Sequence, residues 1–296
     1  MRPEALDPPF GAHALPNWLE RLRLFGGRLG RSAFARRAVS LIRRACLLGR
    51  PDPVDVVPFP GQRARLYPRD NLSEKRVFSA PQFWDWAERC ALARAMSAAP
   101  QPFFFVDAGA NVGLYTLAVR SLGPARILAI EPEPEALRRL RANLAASGAV
   151  DVQCAPVGLS DRPGVGRIAV PAHNRGEAAL GAAGAEIALS TLWAEVRSAG
   201  FPRVDALKID IEGAEERVLA AFMAEAPRAL WPRLVILEAQ RGAQTAALAQ
   251  MVHRGYEIQT RTRMNAILSL PVAAQEQGAP EPAPALGELN EADGKT

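Results

Sequence analysis

Residues 103–113 read Phe103-Phe104-Phe105-Val106-Asp107-Ala108-Gly109-Ala110-Asn111-Val112-Gly113. Four apolar residues in succession suit a strand buried on both faces, as in a parallel sheet. The acid after them ends the strand, and the glycine-spaced loop leads into a helical pattern over 114–121. Open α/β sheets bind ligands outside the carboxyl ends of their strands, so this loop marks the first candidate site. Gly109 would let the backbone approach a ligand, and Gly113 would let the helix pack close to the strand.

Outward from this stretch, short apolar runs recur at 127–130, 152–155, 206–209 and 234–237. Helical patterns lie between and after them at 134–147, 191–199, 215–224 and 243–254. The alternation predicts an α/β fold with a doubly wound, mostly parallel sheet. Two late runs at 256–259 and 266–270 predict an antiparallel hairpin closing one edge. Upstream, residues 54–67 alternate around Gly61 and predict two short strands, and Phe83, Trp84 and Trp86 read as core packing. Four segments follow: a basic amphipathic N-terminal arm over 1–50, lead-in strands and a helix over 51–100, the main domain over 101–270, and a tail over 271–296. The tail carries Pro280, Pro282 and Pro284 among acids and predicts disorder.

With 49% hydrophobic and 23% charged residues in 296, the chain can bury one large core. Cys46, Cys90 and Cys154 lie far apart, in no CxxC pair, which points to a reducing, cytoplasmic setting. No apolar run reaches the roughly 18 residues of a membrane-spanning helix, and the first ten residues lack a signal peptide's layout. The net charge of +5 rests almost wholly on arginine, since Lys75, Lys208 and Lys295 are the only lysines. Between Asn17 and Arg50, nine arginines face the single acid Glu20. Phe34, Ala38, Leu41, Ile42 and Ala45 recur there at helical spacing. They predict an amphipathic arm packed on its own domain, in preference to one held against an anionic membrane. No aromatic residues interleave these arginines in the manner of a single-strand binder, so no nucleic-acid partner is expected.

A dinucleotide loop, G-x-G-x-x-G, would need glycine at 109, 111 and 114, and only Gly109 meets it. The D-x-G-x-N-x-G actually present suits a cofactor without a pyrophosphate. Asp107 could then face a cation, such as the amino group or the sulfonium neighbourhood of S-adenosylmethionine. The second strand ends at Glu131, about 20 residues on, where a ribose diol needs a carboxylate.

The second charged cluster is Lys208-Ile209-Asp210-Ile211-Glu212-Gly213, at the tip of the fourth strand. Period-2 geometry places Lys208 and Asp210 on one face, where they can pair, and Glu238 ends the neighbouring fifth strand. Two chemistries fit. Asp210 orients or deprotonates an acceptor hydroxyl, or Asp210 and Glu238 hold a divalent cation that lowers the hydroxyl's pKa. The first is preferred, and no metal ligands are assigned. His173, within an insertion read as loop-like, is a further candidate base, whereas His253 reads as structural.

The runs DAGANVGLYTL, IEPEP, GLSD, LKIDIEGAEERVL and VILEAQ, in this order, resemble the FkbM family of S-adenosylmethionine-dependent methyltransferases over about residues 70–270. The resemblance implies a Rossmann-like class I methyltransferase fold. It also implies S-adenosylmethionine as cofactor and a hydroxyl acceptor on a sugar, glycan or natural product. Asp107, Gly109, Asn111 and Gly113 would line the cofactor's methionine part, Glu131 its ribose, and Gly158, Ser160 and Asp161 its adenine side. Thr191-Leu192-Trp193 departs from the family's T-L-D. Two other classes stay open. A nicotinamide-dependent oxidoreductase is disfavoured by the glycine spacing. A non-catalytic protein gripping membrane or nucleic acid is disfavoured by Asp107, Glu131 and Asp210, which charge three strand tips.

Overall fold

The computed structural model describes residues 8–170, 179–181, 184–239 and 244–271. His173 and residues 272–296, most of the tail expected to be disordered, lie outside them.

The chain opens with helices α1 (Asn17–Arg28) and α2 (Ala33–Leu47), then an antiparallel pair, β1 (Val54–Phe59) and β2 (Gln62–Leu66). Helices α3 (Leu72–Ser79) and α4 (Trp86–Ala98) lead into the alternating part. There β3 (Phe103–Ala108), α5 (Leu114–Arg120), β4 (Ala125–Ile130), α6 (Pro134–Ala146) and β5 (Val152–Ala155) follow one another. After an insertion come α7 (Leu192–Ser198), β10 (Ala206–Ile209), α8 (Glu215–Glu225), β11 (Leu234–Glu238), α9 (Ala246–His253), β12 (Glu257–Arg261) and β13 (Asn265–Ser269).

Seven strands form one sheet in the order β12-β13-β11-β10-β3-β4-β5. The pairs from β11 to β5 are parallel, and β13 runs antiparallel to both β11 and β12. The sheet is thus the predicted one, edge hairpin included. Strand order reverses between β3 and β10, which creates a switch-point crevice at their carboxyl ends. Alternation along β3 serves both faces: Phe103 and Phe105 enter one core with Leu117 and Leu140, while Phe104 and Val106 enter the other with Leu219 and Phe222.

The basic N-terminal stretch folds as the two helices α1 and α2. Ser32 accepts from the Ala35 amide and caps α2. Leu19, Ile42, Cys46 and Leu47 join the same core as Phe103 and Phe105. Arg23 is buried, pairs with Glu20 and donates to the Phe78 carbonyl.

The insertion read from sequence as loop-like is in large part a second sheet, and here the expectation is corrected. It holds β6 (Gly158–Leu159), β7 (Gly164–Ala169), β8 (Ala179–Gly181) and β9 (Ala185–Ser190) in the order β6-β9-β7-β8. Its glycines and alanines bury little, and only Ile168 and Ile187 on β7 and β9 are buried, so the period-2 signal is faint.

Candidate active site

A cleft of about 990 Å³, its open mouth included, lies over the carboxyl ends of β3, β4 and β10. Its polar lining includes Asn111, Glu131, Lys208, Asp210 and Glu212, with Ile130, Leu159 and Ile168 as apolar wall.

The loop after β3 is built by local chemistry. Gly109 has φ +75°, a region closed to most side chains, and a Cβ there would overlap the Asp210 carbonyl. At Gly113, φ +88°, a Cβ would overlap Leu140 of α6. The two glycines therefore let chain segments meet one another: Gly109 the end of β10, and Gly113 helix α6 rather than the strand. The Gly109 and Ala110 amides both donate to the Ile130 carbonyl, which ties the loop to the end of β4.

Glu131 is buried. Its Oε2 accepts from the Asn111 amide at 2.7 Å and its Oε1 from the Glu133 amide at 2.9 Å. Burial pushes its carboxyl up to about 7, against the pull of those amides and of Lys208. Glu133 in turn caps α6, accepting from the Glu135 and Ala136 amides. Asn71, capping α3, donates to the Asn111 side chain at 3.2 Å and so braces the loop from the lead-in segment.

Lys208 ties the crevice together. The register sets it opposite Asp107 on β3. Its ammonium donates to the Gly109 carbonyl at 2.7 Å and lies 3.6 Å from Asp210 and 3.9 Å from Asp107. Burial alone would lower its pKa, but Asp210, Asp107 and Glu131 together hold it above the usual lysine value. The expected Lys208–Asp210 pairing is thus present. Asp107 is wholly buried, accepts from the Thr116 amide and hydroxyl, and stands behind the cleft wall, so the cation it faces is Lys208. Of the other predicted cofactor residues, Gly109, Asn111, Glu131 and Gly158 line the cleft. Gly113 packs beside it, and Ser160 hydrogen-bonds Asp161 at 2.9 Å outside that lining.

The Asp210, Glu212 and Glu238 carboxylates lie within 4.8 Å of one another. Burial, then the charge of Asp210 and a hydrogen bond with it, push the Glu238 carboxyl up to about 8. Trp193, the departure at the start of α7, packs against the core that holds Leu192 and Val196.

Sequence reasoning passed over Asp85. It sits among the aromatic residues read as packing, yet it lines the cleft and accepts from the Tyr115 hydroxyl at 2.8 Å. Burial and Glu88 push its carboxyl up to about 6. Asp85 has φ +40°. Asn111 and Glu212, the other positive-φ residues besides glycine among those described, line the same cleft. Backbone strain of this kind gathers at functional sites, held by the structure around it. An acid between two tryptophans was the available signal.

The Methyltransferase FkbM domain matches residues 107–258. Methyltransferase sdnD of Sordaria araneosa is 31% identical over 159 residues, covering 40% of this chain and 60% of that protein, so the chain spans less than two thirds of this relative's length. Similar solved structures include the precorrin-6y C5,15-methyltransferase of Geobacter metallireducens GS-15, at 17% identity and TM-score 0.38 over 61% of this chain and 84% of that one. An rRNA methylase of Streptococcus thermophilus shows 10% identity and TM-score 0.38 over 62% and 95%. By the match over residues 107–258, which takes in the β3 loop, Glu131, Asp210 and Glu238, this chain belongs to the FkbM methyltransferase family.

Proposed function

We propose that the protein is an S-adenosylmethionine-dependent O-methyltransferase acting on a hydroxyl of a sugar, glycan or natural product. The observation that carries this is one cleft at the switch point, lined by the buried Glu131 carboxylate just past β4 and by Asp210 and Glu212 just past β10, with Glu238 at the end of β11 completing the acidic group of Asp210 and Glu212. The residues suit the cofactor. Glu131 would accept from the ribose hydroxyls, Asn111 and the Gly109–Ala110 backbone would border the methionine part, and Ile130 and Leu159 supply apolar wall. When bound, the cofactor supplies an electrophilic methyl group. Asp210 then orients the acceptor hydroxyl and accepts its proton, with Lys208 beside it. Alignment of the reacting groups can itself lower a barrier by about 7–11 kcal/mol, so Asp210 need not be a strong base. The Asp210–Glu212–Glu238 group favours a second reading, in which a divalent cation lowers the hydroxyl's pKa. The three free cysteines fit a reducing compartment, and we assign the protein to the cytoplasm.

S-adenosylhomocysteine is expected to raise the melting temperature by several degrees, since a ligand at a hundredfold excess over its Kd stabilises the native state by about 2.7 kcal/mol. NAD is expected to leave it unchanged. A shift with NAD and none with S-adenosylhomocysteine would overturn the reading in favour of an oxidoreductase.

No helix among the described residues is long and apolar enough to cross a membrane. The outer faces of α1 and α2 nevertheless expose Trp18, Phe25, Phe34, Leu41 and Leu48 among Arg21, Arg28, Arg37 and Arg44. Such faces suit the interface of an anionic bilayer, and each arginine near it contributes about 1 kcal/mol. Sedimentation with phosphatidylglycerol vesicles should therefore show binding that fades as salt rises. Equal binding to neutral vesicles would remove the electrostatic contribution.

A further inference from the structure

A second cleft, about 1270 Å³ with its open mouth, adjoins the first and shares Trp84 and Asp85 as wall. Five arginines line it: Arg31, Arg36, Arg43, Arg76 and Arg263. They come from four separate parts of the chain. None of the five has an ion-pair partner among the described residues, although this structure pairs arginine readily elsewhere, as at Arg65–Asp55 and Arg139–Asp70.

The lining also holds two acids, both already engaged. Glu88 is buried and accepts from the Thr262 hydroxyl at 2.7 Å and the Asn265 amide at 2.8 Å. Asp85 accepts from Tyr115, whose ring borders the first cleft. Two of the arginines stack on aromatic rings instead. Arg31 lies 4.7 Å over the Trp86 ring and Arg36 5.4 Å over the Phe83 ring. A guanidinium stacked on an aromatic face keeps its in-plane N–H groups free to donate. Arg43 is held below the usual arginine value by burial and by Arg44, and a bound anion would relieve both.

Geometry separates this feature from the membrane-facing one. On α2, Arg36, Val39, Ser40 and Arg43 fall on one stripe and line the cleft, while Phe34, Arg37 and Leu41 fall on another and face solvent. A carboxylate would occupy one guanidinium fork. Five arginines around one cavity match a group with several oxygens and more than one negative charge.

We infer that this second cleft binds the phosphate or diphosphate group of a phosphorylated acceptor, whose hydroxyl then reaches past Trp84 and Asp85 into the first cleft. The inference rests on the first cleft being the transfer site. It narrows the acceptor class to phosphate esters of a sugar or natural product, whether carried on a soluble nucleotide or on a lipid.

The test is calorimetric titration of the full chain with inorganic pyrophosphate at low salt, beside titration with S-adenosylhomocysteine. Wild-type protein is expected to bind pyrophosphate, and the Arg36→Ala/Arg43→Ala double variant to bind it at least tenfold more weakly. Binding should also change Trp86 fluorescence. The double variant should keep its melting temperature and its S-adenosylhomocysteine affinity, which shows that the fold and the first cleft are intact. Wild-type protein that binds S-adenosylhomocysteine but not pyrophosphate would overturn this inference alone, as would unchanged pyrophosphate affinity in the double variant. Loss of S-adenosylhomocysteine binding in wild type would instead strike the methyltransferase reading. Phosphatidic acid vesicles distinguish the two carriers: competition with pyrophosphate that disappears in the double variant supports a lipid phosphate, and its absence, with pyrophosphate still bound, supports a soluble one.

Discussion

Replacing Asp210 by asparagine is expected to lower turnover by about 10²–10⁴-fold, the range for losing a positioned acid–base group. The substitution keeps the shape and some hydrogen bonding but removes the charge that would accept the acceptor's proton. Folding should survive, because Lys208 retains the Gly109 carbonyl at 2.7 Å and Asp107 at 3.9 Å. Lys208, the buried charge that loses a partner, keeps Asp107 as its counter-charge. S-adenosylhomocysteine affinity should stay near wild type. A second sign is expected at Glu238, whose carboxyl should fall from about 8 once the neighbouring negative charge is gone. Carboxyl NMR titration would read that fall. Chelator divides the two chemistries: an orienting or proton-accepting Asp210 predicts indifference, whereas cation binding predicts loss of wild-type activity and its recovery on adding magnesium. Near-normal turnover in Asp210→Asn would remove Asp210 from the chemistry and leave Glu238, His173 or Asp85 to be tested.

Glu131→Ala should weaken cofactor binding by about 1–3 kcal/mol, roughly 5- to 150-fold, as expected for hydrogen bonds to a charged group. The side chain has two tasks. It would take the ribose hydroxyls, and it holds the Asn111 and Glu133 amides. Glu131→Gln, which keeps an acceptor but no charge, should fall between wild type and alanine.

The pH dependence has a definite sign. With the Glu131 carboxyl at about 7, binding to the ionised form should weaken up to tenfold per unit below that pH and level off above it. Stability of the free protein runs the opposite way. A carboxyl raised from 4.5 to about 7 contributes stability below 4.5 that is lost as pH rises through about 7. The melting-temperature gain from S-adenosylhomocysteine should accordingly be larger at pH 8 than at pH 6, and Glu131→Gln should flatten the difference. Equal gains at both pH values, or unchanged affinity in Glu131→Ala, would move the ribose contact elsewhere.

The central sheet was legible because its signals are local. The run from Phe103 to Val106 is too apolar to face water, and Gly109 and Gly113 break the chain where β3 must turn into α5. Glu131 and Asp210 were legible for the same reason, each ending an apolar strand. The second sheet was not: in β7, Gly164, Gly166 and Ala169 leave Ile168 as the one buried side chain. Short strands of small residues carry almost no alternation to read.

By itself, then, the sequence determined which strands of the central sheet form, where they end and which acids stand at their tips, since these depend on neighbours within a few residues. Tertiary structure decided what those acids meet. Lys208 reaches the carbonyl of Gly109, 99 residues away in sequence. The Glu238 carboxyl is pushed up because burial and Asp210 act on it together. Gly109 lacks a side chain because the Asp210 carbonyl occupies the space. The five arginines of the second cleft read as separate surface charges until α2, α3 and the turn between β12 and β13 bring Arg36, Arg76 and Arg263 to one cavity. Charge interactions of this kind depend on distance and burial, which a linear pattern does not record.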